Sequence, residues 1–160
     1  MNSLHKFCQS IINAQKTILK GDIHFTESKG KWSVEVNAVW NKRINRITIR
    51  ARNSDFSQDF PYCKLFKAKF LTLVSYMMMR SESYSFKGER SVFSETMLSS
   101  KAVIPLMETK NPIIELKDSF LIFSGGIRSK DYKSLSNIFI LFDVLLAEID
   151  QVITNNLPKQ

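Results

Sequence analysis

The sequence predicts an α+β domain of two layers, an antiparallel sheet with N-terminal, central and C-terminal helices packed on one face. Three observations carry that prediction. Residues 32–40, WSVEVNAVW, and 46–52 alternate apolar with polar side chains, the mark of strands buried on one side. Residues 4–19 and 135–152 instead repeat their apolar positions at helical spacing. The chain has 160 residues, 44% of them hydrophobic, which is enough for one core, and no repeat at solenoid spacing divides it. One domain over residues 1–156 and a frayed tail at 157–160 are expected.

The first helix places Leu4, Phe7, Cys8, Ile11, Ile12, Ile18 and Leu19 on one face and Lys6, Gln9, Asn13, Lys16 and Lys20 on the other, ending near Gly21. Ser28, Lys29 and Gly30 read as a turn into the first strand, where Trp32, Val34, Val36, Ala38 and Trp40 face the core. Asn41 and Lys42 turn the chain into RINRITIRAR, residues 43–52. There Ile47, Ile49 and Ala51 alternate with Arg46, Thr48, Arg50 and Arg52, and Ile44 breaks the pattern at its start.

A central helix is expected next, with Asp59 as N-cap and Pro61 in its first turn, running to about Arg80 and burying Leu65, Phe66, Phe70, Leu73, Val74 and Met77. Met77, Met78 and Met79 read as flexible filler rather than a metal site. From Ser81 to Phe123 the pattern is strand-like: ESYSFKG, SVFSETML, AVIPL, then PIIEL joined through Lys117 and Asp118 to SFLIF. Pro105 and Pro112 belong at strand ends or sheet edges, because proline cannot donate to a ladder. After SGGIRS the last helix carries Leu135, Ile138, Phe139, Phe142, Leu145, Leu146, Ile149 and Val152, a stripe broad enough to support a homodimer as well as a core.

Lys and Arg number 23 against 15 Asp and Glu, a net charge of +8 with a pI near 9.6, which favours anionic partners. Cys8 and Cys63 sit in apolar patterns and read as buried free thiols, fitting a reducing, cytoplasmic setting. No apolar run reaches the roughly 18 residues of a membrane span, and the first residues lack the continuous apolar segment of a secretory signal.

Catalytic signatures are missing. His5 and His24 are too few and too scattered for a Cys/His metal site, and neither lies near a nucleophile motif. Glycine-rich nucleotide loops are absent and the carboxylates are dispersed, so no enzyme, no metal and no cofactor is expected.

Two constellations remain. The row Arg46, Thr48, Arg50, Arg52 spaces its side chains about 6.6 to 7 Å apart along one strand face, comparable to the ~7 Å or less between neighbouring phosphates of a nucleic-acid strand. Ser33 and Asn37 across the hairpin add hydroxyl and amide groups, while Glu35 can cancel charge, and a merely solvated sheet face would look alike. The second is SGGIRSK, residues 124–130, where converging backbone N–H groups at a helix start would seat an anion beside Arg128 and Lys130. The simpler alternative is a tight turn at Gly125 and Gly126 with Ser129 as N-cap. Trp32, Trp40, Phe70, Phe139 and Phe142 fall on apolar faces, which favours recognition of backbone or duplex shape over base stacking.

The segments IRARNSDF, residues 49–56, and FLIFSGGIRS, residues 120–129, resemble parts of the TATA-box-binding protein fold, which implies a curved sheet that binds DNA. The order helix, three strands, helix, strands, helix is similar to class I type III secretion chaperones, which implies a small dimer that clamps an unfolded polypeptide. The expected function is non-enzymatic binding of nucleic acid, RNA favoured, through Arg46, Thr48, Arg50, Arg52, Arg128 and Lys130. The alternative is an adaptor or chaperone-like dimer holding a partner polypeptide or an acidic protein surface.

Overall fold

The computed structural model describes residues 3–67 and 84–156. Its elements in chain order are α1 (Ser3–Thr17), β1 (Gly21–Lys29), β2 (Trp32–Trp40), β3 (Ile44–Asn53), β4 (Cys63–Lys67), β5 (Tyr84–Gly88), α2 (Val92–Ser99), α3 (Val103–Met107), β6 (Lys110–Lys117), β7 (Phe120–Arg128) and α4 (Tyr132–Asn156). Among the described residues the strands form one sheet in the order β1-β2-β3-β7-β6-β4-β5, every pairing antiparallel. The architecture is α+β, with the helices packed on the sheet.

One face of the sheet supplies Val34, Val36, Ile47, Ile49, Leu65, Ile114, Leu116, Leu121 and Phe123 to a core closed by Ile11 of α1, Met97 of α2, Leu106 of α3 and the Leu135 to Ile153 stripe of α4. Polar ties fix α4 across the strands. Asp150 Oδ1 accepts from Trp32 Nε1 at 3.0 Å and from Asn53 Nδ2 at 2.9 Å, and Lys29 pairs with Asp143 one strand further out.

Both predicted hairpins form. Between β2 and β3, Asn41 Oδ1 accepts from the N–H groups of Arg43 and Ile44. Asp118, at φ 53, starts the turn between β6 and β7.

Several expectations are corrected. α1 stops at Thr17, and Trp40 Nε1 donates to the Ile18 carbonyl at 2.9 Å; Ile18 and Leu19 are 53% and 65% exposed rather than buried. Residues 21–29 are an edge strand, paired throughout with β2, and the turn lies at Gly30 (φ 58) and Lys31. Their inner face carries Glu27 and Lys29 beside Ile23 and Phe25, so the apolar alternation is broken where Lys29 finds Asp143.

The central helix does not start at Asp59 or Pro61. The chain is irregular to Tyr62, the Phe60 N–H donates to the Asp118 carbonyl, and residues 63–67 enter the sheet between β6 and β5 with Cys63 and Leu65 inward. Phe70, Leu73, Val74 and the three methionines lie outside the described residues, as does the tail at 157–160.

SVFSETML is helical rather than strand-like. Ser91 Oγ accepts from the Ser94 N–H and Ser94 Oγ accepts from the Ser91 N–H, a capping box that outweighs the β propensity of Val92, Phe93 and Thr96. VIPLM is a short helix as well, and Pro105 fits because first-turn N–H groups have no intrahelical partner.

Gly125 and Gly126 are strand residues inside β7, not a turn. A Cβ on Gly125 would stand 2.1 Å from Thr109 Oγ1 and 2.8 Å from Phe123 Cζ, so the strand needs glycine where the α3 to β6 connection crosses it. Ser129 Oγ donates to the Asn41 carbonyl instead of capping α4, and Asp131 takes the capping role.

Candidate functional site

Directly opposed residues of antiparallel strands share a face, so the register defines what surrounds the arginines. Arg52 lies between Ser33 and Phe120; Arg50 between Glu35 and Ile122; Thr48 between Asn37 and Ser124; Arg46 between Val39 and Gly126. The rows continue across β6, β4 and β5 to Lys117, to Glu115, Lys64 and Lys87, and to Ile113, Phe66 and Ser85. The described helices all bury their side chains in the core on the opposite face.

This outer face is therefore a half-buried apolar strip, Phe66, Ile113, Phe120 and Ile122, set among cations. Arg50 Cζ stands 4.3 Å over the Phe120 ring centroid, and Lys64 Nζ is 5.7 Å from that of Phe66. Arg50 Nη1 also reaches Glu35 Oε2 at 3.6 Å, an exposed and weak pair. Arg46 Nη2 donates to the Asn111 carbonyl at 3.4 Å, and the Thr48 and Ser124 hydroxyls are 3.2 Å apart. Arg52, Lys87 and Lys117 form no ion pair among the described residues. Among the described strand residues, Glu35, Glu115 and, on β1, Asp22 are the carboxylates of the face.

Arg46, Thr48, Arg50 and Arg52 are thus brought together as the alternation implied. Arg128 pairs with Ile44 at the end of the sheet and lines a cleft of about 670 Å³ between β7, α3 and the start of α4. Lys130 stands past the strand in a turn, at φ 68, and does not join the row.

The anion seat expected at the helix start is already filled by the chain itself. Asp131 accepts from the Ser134 N–H at 3.1 Å and the Ser134 hydroxyl at 2.7 Å. These two bonds, the hydroxyl first, and then Arg128 and Lys133 hold its carboxyl below the ordinary 3.8. With Gly125 and Gly126 paired in the ladder, no glycine loop gathers N–H groups there.

The thiols carry no evident chemistry. Cys8 and Cys63 are free and buried, and burial pushes both upward from 9.0. Among the described residues no group of three or more His, Cys, Asp and Glu is placed to hold a metal ion, and no helix is long and apolar enough to cross a membrane.

Sequence reasoning missed Phe66, Phe120, Lys64, Lys87 and Lys117. CKLFKAKF fits helical and strand periods alike, and FLIF is apolar at every position, so neither shows which ring faces outward. No protein-family model and no curated protein matches the chain.

Proposed function

We propose that the chain binds single-stranded nucleic acid, RNA foremost, on the outer face of its sheet and catalyses no reaction on it. The observation that carries this reading is the row in which Arg50 covers the ring of Phe120, with Arg52 one same-face step along β3 on one side and Arg46 two steps away on the other, beyond Thr48. Rings and guanidinium planes on a sheet stack bases irrespective of sequence, and arginines at strand spacing meet successive phosphates. Thr48, Ser124 and Asn37 offer hydroxyl and amide groups to sugar or phosphate oxygens. Phe120 and Phe66 favour unpaired strands over duplex, whose bases are stacked away from a sheet.

The test is binding to labelled single-stranded and duplex RNA and DNA over a salt series. Single strands are expected to bind more tightly, with affinity falling as salt rises. Changing Arg46, Arg50 and Arg52 to alanine together should flatten the salt slope by about 2, at about 0.7 for each phosphate left without its arginine. An unchanged slope and affinity in that triple variant would refute the reading.

A second reading, a partner polypeptide held on the helical side by a cytoplasmic adaptor, rests on Ile104 of α3 and Ile140 and Val144 of α4. These are exposed large apolar side chains, the last two one turn apart. A homodimer through the same helix belongs to it, and sedimentation of wild type against Ile140→Glu measures it: loss of a dimer supports this reading, and a monomer in both removes the homodimer.

A further inference from the structure

The cleft at the end of the sheet has a separate chemistry. It exists because β6 starts irregularly: Lys110 pairs with Gly126, Asn111 adopts φ 48, and regular pairing resumes only at Ile113 and Ser124. Ile127 and Arg128 consequently have no β6 partner, and α3 stops at Met107 without covering them. The resulting space of about 670 Å³ is within the range of small-ligand sites.

Its lining is divided by polarity. Ile44, Pro105, Ile127, Ile138 and Leu141 form an apolar wall. Arg43, Lys110 and Arg128 border it and have no ion-pair partner among the described residues. Of the two bordering carboxylates, Asp131 is committed to capping α4, which leaves Glu108 as the one opposing charge without such a role. Arg128 also acts on the Asp131 carboxyl, but Arg43 and Lys110 do not, and an apolar wall with cations outnumbering carboxylates beside it is complementary to a ligand of matching polarity.

We propose that this cleft binds a small organic anion with an apolar body, a carboxylic acid of medium chain length or comparable bulk. The chain packs on Ile127, Ile138 and Leu141, and Arg128 with Arg43 holds the carboxylate. The site shares only Arg128 with the expected nucleic-acid contacts, and it is independent of the reading for the outer face.

Titration calorimetry with decanoate, decanol and decyltrimethylammonium, each below its micellar concentration, tests the proposal. Methyl chemical shifts of isoleucine and leucine locate the binding. Decanoate is expected to bind saturably, shifting Ile127, Ile138 and Leu141, with decanol at least about tenfold weaker. Arg128→Glu and Arg43→Glu, both at exposed positions, should each weaken decanoate by about tenfold, and Arg43→Glu should leave the thermal melt unchanged. Glu108→Gln should tighten it. Decanoate binding no tighter than decanol, shifts confined to residues outside the cleft, or full affinity in Arg128→Glu would each overturn the assignment. Asn137→Trp, exposed at the cleft margin, is a second variant that obstructs the space without touching a charge and should abolish binding.

Discussion

The guanidinium of Arg50 lies over the ring of Phe120, its Cζ 4.3 Å from the centroid, although the two are not directly opposite each other. Their contact is diagonal, from the Arg50–Ile122 pair to the Arg52–Phe120 pair. A base stacked on this ring takes the place of Arg50 or is sandwiched by it. Phe120→Leu keeps apolar bulk but removes the stacking plane, and is expected to cost single-strand binding about 1 to 3 kcal/mol, measured by fluorescence anisotropy. Glu35→Gln releases Arg50 from its exposed partner and should raise affinity most at low salt.

Asp150 is the chief polar tie between α4 and the sheet. Asp150→Ala leaves Trp32 Nε1 and Asn53 Nδ2 without their acceptor in a part-buried place, and should cost about 2 to 4 kcal/mol in urea unfolding. Asp150→Asn keeps a carbonyl oxygen and should lose less.

Asn45 is 1% exposed on the core face, between Trp40 and Ile127, and its amide has no hydrogen-bond partner among the described residues. Asn45→Leu, which keeps the branched shape and removes the unpaired polar atoms though it is bulkier, is expected to stabilise the fold by about 1 kcal/mol, read as a higher Tm. Nucleic-acid binding should be unchanged, because the side chain points away from the outer face.

Asp131 makes stability depend on pH. Its carboxyl is held below the ordinary 3.8 chiefly by the Ser134 hydroxyl, so the folded state binds its proton less readily than the unfolded chain does. The contribution is therefore present above about pH 4 and is lost as pH falls through the lowered value. Asp131→Ala should cost about 1 kcal/mol at neutral pH. Paired melts should show that difference shrinking in acid.

Period was enough where one face of an element is apolar and the other wet. The β2 and β3 hairpin and α4 are visible for that reason, with Leu135, Ile138, Phe142 and Ile149 buried at the expected turns. Ile153 closes the α4 stripe in place of Val152, which is only half-buried. β1 was hidden because an edge strand tolerates Glu27 and Lys29 on its inner side. α2 was hidden because two serines, rather than its β-branched residues, decide its conformation. The arginine row was legible as alternation within one strand. The rings beside it were not, since which residues of β6, β7 and β4 join that face depends on pairing between segments far apart in the chain.

The sheet order also governs when the protein can assemble. β3 has β7 as its second neighbour, so Ile49 completes its pairing only with Phe123, and α4 follows later still. A ribosome therefore releases the first three strands as a local meander whose apolar side has no α4 to cover it until residues 132–156 have followed. Truncation before β7 would leave that meander an unfinished, aggregation-prone intermediate rather than a smaller working protein.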